Sequence, residues 1–258
     1  MSAIVIFDID GVIRDVGGSY RLALADTVAE FTSGAYRPTA IEIDRLKGEG
    51  NWNNDWEASQ ELIYRHFEGQ GQTRSELNLD YAQIVAYFQT KYRGTDPINW
   101  NGYICNEPIL ASLEYFASLT AANIPWGFFS GATTGSASYI IERRLGLNAP
   151  ILVAMEDAPG KPDPSGLFMA VERLGVQHGN IDALPIVYVG DTVADMQTIG
   201  RARQVQTDRN FIAVGVLPPH ILATVDLVND YRQSLIRSGA KVVINNVREL
   251  TPELINSL

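Results

Sequence analysis

Ala3-Ile4-Val5-Ile6-Phe7-Asp8-Ile9-Asp10-Gly11 sets the fold of this 258-residue chain. The run is short, apolar and β-branched, the pattern of a strand buried on both faces, and it ends in a carboxylate. Far downstream Ile186-Val187-Tyr188-Val189-Gly190 repeats the pattern and leads into Asp191, with Asp195 in the next turn. An apolar strand that ends in a carboxylate presents it at the carboxyl edge of a sheet, where open α/β sheets bind their ligands. Working outward, residues 124–130, 151–154, 211–216 and 242–244 read as further strands. Helical patterns over 108–121 (with Pro108 at a helix start), 135–145 before Gly146 and 164–174 before Gly175 separate them. Strands alternating with helices predict an α/β protein with a doubly wound parallel sheet covered on both faces.

Residues 16–100 break this rhythm and hold no buried strand pattern. Tyr20, Ala23, Leu24, Val28 and Phe31 share one helical face, as do Ile84, Val85, Phe88 and Tyr92. Pro38 opens a second helical stretch with Ile41, Ile43 and Leu46. Asn54 with Glu57 has the form of a capping box before Leu62, Ile63 and Phe67. The expected organisation is a catalytic core of residues 1–15 and 101–258 with an inserted α-helical domain of residues 16–100. Its joints lie near Gly17-Gly18 and Gly94-Thr95-Asp96-Pro97.

Composition narrows the function classes. A hydrophobic content of 46% is enough for a sizeable core. The formal net charge of −10 disfavours nucleic acid and anionic membranes, which need basic patches. Cys105 is the only cysteine, so an intrachain disulfide and a cysteine-based zinc cluster are excluded. No stretch is long and apolar enough for a bilayer, and Met1-Ser2-Ala3 enters a strand pattern without the basic flank of a signal peptide. The expected location is cytoplasmic, as a monomer or homodimer. His66, His178 and His220 lie outside every motif and read as structural.

The order Asp-x-Asp, Ser, Lys, Gly-Asp-x-x-x-Asp reads as one phosphoryl-transfer site gathered from four segments. Asp8 is the candidate nucleophile, since a carboxylate can attack phosphorus and divide hydrolysis into two steps. Asp10, two residues on and on the same side of an extended chain, is the candidate general acid and base. Ser130-Gly131 after Phe128-Phe129 offers a hydroxyl and backbone amides to phosphate oxygens. Lys161, in Gly160-Lys161-Pro162, offers a neutralising cation. Asp191 and Asp195 are candidate cation anchors; the plain alternative has Asp191 capping a helix and Asp195 on a solvated first turn. Two like charges about 4 Å apart repel by roughly 4 kcal/mol at an effective dielectric of 20. Several carboxylates at one sheet edge therefore call for a divalent cation, and oxygen-only ligands favour Mg²⁺.

Four motifs, Phe-Asp-Ile-Asp-Gly-Val, Phe-Phe-Ser-Gly, Gly-Lys-Pro-Asp-Pro and Gly-Asp-Thr-Val-Ala-Asp, make the chain resemble the haloacid dehalogenase superfamily of hydrolases. It is similar to the subfamily that carries a helical cap between the first two motifs. The resemblance covers nearly the whole chain and implies a Rossmann-like core. It implies Asp8 as nucleophile, Asp10 as acid/base, and phosphate binding by Ser130 and Lys161. It also implies Mg²⁺ held by the Asp8 carboxylate, the Asp10 main-chain carbonyl and Asp191, with Asp195 in support. Asp10 is what the phosphatase branches carry, so the resemblance points away from carbon–halogen chemistry.

The expected function is a Mg²⁺-dependent phosphatase of a small phosphorylated metabolite, working through an aspartyl-phosphate. A phosphosugar mutase and a non-catalytic metabolite-binding regulator are the competing readings. The polar segment from Lys47 to Trp56 resembles the cap loop that reaches over the active site in capped relatives. Lys47, Asn51, Trp52 and Asn54 are therefore candidate specificity residues, with packing of Trp52 and Trp56 inside the helical domain as the alternative. Arg14, Tyr20 and Arg21 are further candidates to face the substrate.

Overall fold

The computed structural model describes residues 3–47, 49, 52, 54–179 and 181–258. They form two compact units: the stretch through Asp15 together with Pro108–Leu258, and Val16–Glu107. In chain order, β1 (Ile4–Phe7) precedes four helices, α1 (Tyr20–Phe31), α2 (Ala40–Lys47), α3 (Asp55–Glu68) and α4 (Tyr81–Tyr92). Then come α5 (Leu113–Ala121), β2 (Trp126–Phe129), α6 (Thr134–Ser138), β3 (Leu152–Val153), α7 (Ser165–His178), β4 (Ile186–Gly190) and α8 (Val193–Val205). The chain continues through β5 (Phe211–Val216), α9 (Pro219–Leu222), α10 (Val225–Arg237), β6 (Ala240–Ile244) and α11 (Pro252–Ser257).

In the first unit the six strands lie in the order β3-β2-β1-β4-β5-β6, every pairing parallel. This is a doubly wound, Rossmann-like sheet, and its order reverses between β1 and β4. Alternate side chains leave opposite faces. Ile4, Ile6, Phe129, Tyr188 and Ala213 enter one buried cluster with Leu167, Ala170 and Leu174 of α7 and Met196 and Ile199 of α8. On the other face Phe7 and Phe128 meet the ring of Phe116 on α5, each at 5.6 Å between centroids. Burial on both faces is why these strands read as unbroken apolar runs.

The second unit is helical. Its core holds Ala23, Leu24 and Val28 of α1, Leu62 and Ile63 of α3, and Ile84, Phe88 and Tyr92 of α4. Tyr20 stacks on Tyr92 at 4.3 Å. The buried Glu61 carboxylate is held by Arg65 at 2.7 Å and Arg74 at 2.9 Å. Asn54 caps α3 through the N–H groups of Trp56 and Glu57. Ile43 and Leu46 are buried on α2, but Ile41 is 72% exposed.

Several boundaries differ from the sequence expectation. Residues 101–107, read as core, belong to the helical unit. Ile104 is buried, Tyr103 donates to Asp26 at 2.5 Å, and Ser19 donates its hydroxyl to Glu107. Pro108 does not start a helix. Residues 108–110 are extended and bonded to 13–15, with Leu110 N–H to the Ile13 carbonyl at 2.8 Å and Asp15 N–H to the Pro108 carbonyl at 2.9 Å. The helix begins only after Ser112, whose hydroxyl accepts the Tyr115 N–H. The helical segment at 135–145 is one short α turn followed by a π turn over Tyr139–Arg144. Gly175 does not end α7, which runs on to His178 and stops at Gly179 with φ 80°. An interior glycine costs about 1 kcal/mol against alanine, and burial of Leu167, Ala170, Val171 and Leu174 outweighs it.

Candidate active site

β2, β1 and β4 are adjacent, so Ser130, Asp8 and Asp191 follow three neighbouring strands at their carboxyl ends. Asp8 is still tied into the ladder through its N–H to the Val189 carbonyl at 2.8 Å, and Ser130 through its N–H to the Val153 carbonyl at 3.0 Å. The Asp191 carbonyl accepts from the Tyr231 hydroxyl of α10 at 2.9 Å. The strands thus fix the backbone from which the polar side chains project.

Lys161 connects the site. Its Nζ lies 2.8 Å from Asp8 Oδ2 and 2.7 Å from Asp195 Oδ1, 5.5 Å above the rings of both Phe129 and Tyr188. Its side chain is only 11% exposed. Burial pulls its pKa down, but Asp195 and Asp8 outweigh this and the net shift is upward, so the lysine is a fixed cation.

Asp195 is fully buried, not solvated. Its Oδ1 accepts from Lys161 at 2.7 Å and the Tyr188 hydroxyl at 3.0 Å; its Oδ2 accepts the N–H of Thr192 at 2.9 Å and its hydroxyl at 2.6 Å. Thr192, not Asp191, caps α8, in a reciprocal capping box with Asp195. Burial opposes ionisation of Asp195, yet Lys161 and Thr192 hold its pKa below the usual carboxylate range. Lys161 and the Thr192 donors are thus what compensate this charge.

Asp8 and Asp191 are placed differently. Burial, joined by Asp195 and Asp10 and opposed by Lys161, pushes Asp8 up to about 7. Asp191 is raised well above its ordinary value by burial and by Asp195 and Asp8. Asp8 Oδ1 is buried with no hydrogen-bond partner among the described residues, and buried polar atoms of this kind call for an explanation. One oxygen from each of Asp8, Asp191 and Asp195 lies within 4.8 Å of the others. Asp195 already has four internal donors, which leaves Asp8 and Asp191 as the carboxylates best suited to a hard divalent cation such as Mg²⁺. Two glycines permit this packing. A Cβ on Gly11 would fall 2.0 Å from Asp191 Oδ2, and one on Gly190 would fall 2.3 Å from the Asp195 side chain.

Asp10 stands apart from that carboxylate cluster. Its Oδ1 accepts from Arg14 Nε at 2.6 Å, and Arg14 is fully buried, so it does not present an open guanidinium to a ligand. Ser130 is buried and its Oγ accepts the Ala132 N–H at 3.1 Å, leaving its own proton to donate. Gly131 is exposed, with open space where a side chain would stand. The candidate specificity residues are engaged inside the helical unit. Lys47 pairs with Asp55 at 2.6 Å, Trp52 donates its indole N–H to Glu49 at 3.0 Å, and Asn54 is a helix cap. Asn51 lies outside the described residues.

Tyr188 and Thr192 were not singled out as parts of this site from the sequence, and Arg14, expected to face the substrate, is instead buried against Asp10. A tyrosine inside an aliphatic strand and a Thr-x-x-Asp capping pattern at a helix start were the available signals.

A family model described as haloacid dehalogenase-like hydrolase matches residues 3–203. The chain belongs to that family. The chain is 30% identical over 224 residues to the imidazoleglycerol-phosphate dehydratase of Phytophthora nicotianae; the match takes in 85% of this chain and 44% of that protein. The chain thus spans less than half the length of that relative. Among solved structures it is similar to a phosphonoacetaldehyde hydrolase-like protein from Oleispira antarctica, with TM-score 0.67 and 19% identity, covering 99% of this chain and 93% of the other. A hydrolase from Pseudomonas syringae gives TM-score 0.63 at 17% identity, covering 98% of each chain. A HAD family hydrolase from Deinococcus radiodurans R1, solved with bound phosphate and sodium, gives 0.62 at 17%, covering 98% of this chain and 95% of that one. At these identities the likeness to solved structures is one of fold. Among the described residues, no helix of the chain is long and apolar enough to cross a membrane.

Proposed function

We propose that this hydrolase is a Mg²⁺-dependent phosphatase that cleaves a small phosphorylated metabolite through an aspartyl-phosphate on Asp8. The observation that carries the reading is the asymmetry of Asp8: Oδ2 is held by Lys161, Oδ1 is buried without a partner among the described residues, and the carboxylate lies in one cluster with Asp191. Lys161 aims one oxygen and neutralises part of the charge that an incoming phosphate brings. When bound by Asp8 and Asp191, and by the Asp10 main-chain carbonyl as the family resemblance implies, Mg²⁺ would supply charge neutralisation between carboxylate and phosphate. Ser130 and the backbone at Gly131 donate to phosphate oxygens. Asp10 gives a proton to the leaving oxygen, then takes one from the water that releases phosphate. Asp195, Tyr188 and Thr192 hold Lys161 without touching substrate. A cytoplasmic location and a small-molecule partner belong to the same reading.

The Phytophthora relative narrows the substrates to try first. That protein is named for a phosphate ester that carries an imidazole, so imidazole-bearing alcohol phosphates join sugar phosphates and phosphoglycolate at the head of a panel. The test is phosphate release across that panel with Mg²⁺ and with excess chelator. Release that needs Mg²⁺ and vanishes in Asp8→Asn is the expected result. Metal-independent release, or no release from any phosphate monoester, would remove this reading; binding of a phosphorylated metabolite without turnover would favour the regulator.

A further inference from the structure

Among the described residues Arg14 is the largest fully buried side chain, and the roles above leave it without a task. A guanidinium keeps its charge at any ordinary pH, and burying one is costly unless it is paired. Its Nε donates to Asp10 Oδ1 at 2.6 Å, at the short end for a charge-assisted hydrogen bond. The backbone on both sides is pinned. The Gly11 N–H donates to the Arg14 carbonyl at 2.9 Å, and the Arg14 N–H to the Ile9 carbonyl at 3.1 Å. Arg14 also bridges Ile109, and Asp15 N–H reaches the Pro108 carbonyl at 2.9 Å. Asp10 and Arg14 therefore face each other across a closed loop held to the sheet unit, while the Asp10 side chain keeps 29% of its surface exposed.

We propose that Arg14 is a positioning residue that aims Asp10 at the leaving-group oxygen. The pairing takes Oδ1 and leaves Oδ2 as the oxygen for proton transfer, on a side chain that is 29% exposed. The inference rests on the phosphatase reading, because it assigns Arg14 a part in leaving-group protonation.

General acid catalysis matters most when the leaving group is basic. The test is kcat/KM, which reports the steps up to formation of the phosphoenzyme, on p-nitrophenyl, phenyl and p-methoxyphenyl phosphates. These esters are similar in size and differ in leaving-group basicity. Wild type is expected to vary little across the series. Arg14→Met is expected to lose about tenfold more activity on the p-methoxyphenyl ester than on the p-nitrophenyl ester, within the roughly hundredfold or greater contribution a positioned acid makes. Arg14→Lys, which keeps a charge in the buried slot, should recover part of the difference and stands in if Arg14→Met does not fold. The readout is a ratio between substrates, so incomplete folding cancels. In an Asp10→Asn background, Arg14→Met should steepen the dependence no further. Equal loss on all three esters, or added steepening in that background, would overturn the inference. Absence of wild-type turnover on every ester would instead overturn the phosphatase reading on which it stands.

Discussion

At the scale of single residues, the site separates carboxylates by what surrounds them. Asp195 keeps its charge because four donors surround it. Asp8 is pushed up to about 7 by burial, with Asp195 and Asp10 adding to the shift and Lys161 opposing it. In the unfolded chain an aspartate titrates near 3.9, so between about pH 4 and about pH 7 the metal-free fold holds a proton at Asp8 that the unfolded chain has lost. Stability from this group is present below about pH 4 and is lost as pH rises through about 7. Asp8→Asn removes that dependence. The metal-free variant is therefore expected to gain on wild type as pH rises from about 5 to about 8, by at most about 1.4 kcal/mol per pH unit. Denaturant melts in chelator at several pH values check this; parallel curves for the two proteins would contradict it. Tyr188→Phe removes a donor to Asp195 and the Phe129 carbonyl. It should cost about 1 kcal/mol of stability and lower kcat with KM little changed, read from chemical denaturation and steady-state kinetics.

At the scale of elements, α7 contains two glycines with opposite roles. A Cβ on Gly166 would come within 2.1 Å of the Phe129 ring, the ring beneath Lys161; one on Gly175 would meet Ile181 at an ordinary 3.8 Å. Gly175→Ala is expected to stabilise the protein by about 0.5–1 kcal/mol without altering turnover. Gly166→Ala is expected to destabilise it by about 1–3 kcal/mol and to impair turnover by displacing Phe129. Thermal melts and kinetics on the two variants separate these outcomes, and equal effects would mean that α7 is not held against β2 as described.

The same helix shows what the sequence conceals. Gly175 looked like a stop, because the compensating burial along α7 comes from strands remote in the chain. The six strands were legible because each is buried on both faces and so carries an apolar run. The four motif segments were legible because each ends a strand or precedes a helix with a polar side chain of restricted chemistry. Arg14, Tyr188 and Thr192 were not recognised as partners, since nothing local tells which carboxylate a buried donor will meet. The engagement of Lys47, Trp52 and Asn54 inside the helical unit depends on Asp55, Glu49 and the α3 amides, and pairings of this kind cannot be ranked from spacing alone.

At the scale of the whole molecule, an acidic chain of net charge −10 would handle a phosphorylated anion by concentrating compensating charge at one sheet edge. Lys161 is the cation there, and Asp8 with Asp191 offers a place for a second. Mg²⁺ is therefore expected to raise the melting temperature of the wild-type protein, more at about pH 8 than at about pH 5, since the cation competes with protons on both carboxylates. Asp191→Ala should abolish most of that gain. A Mg²⁺-independent melting temperature at both pH values would contradict the metal assignment without any appeal to activity.

The most direct test follows the phosphoryl group itself. Enzyme mixed with a hydrolysable, phosphorus-radiolabelled aryl phosphate and Mg²⁺, quenched rapidly in acid and digested, should carry the label on the peptide that contains Asp8. The label should chase into inorganic phosphate, and none should be found in Asp8→Asn. Phosphate released at the full rate with no label on Asp8, or label on any other residue, would contradict the assignment of this carboxylate as the nucleophile.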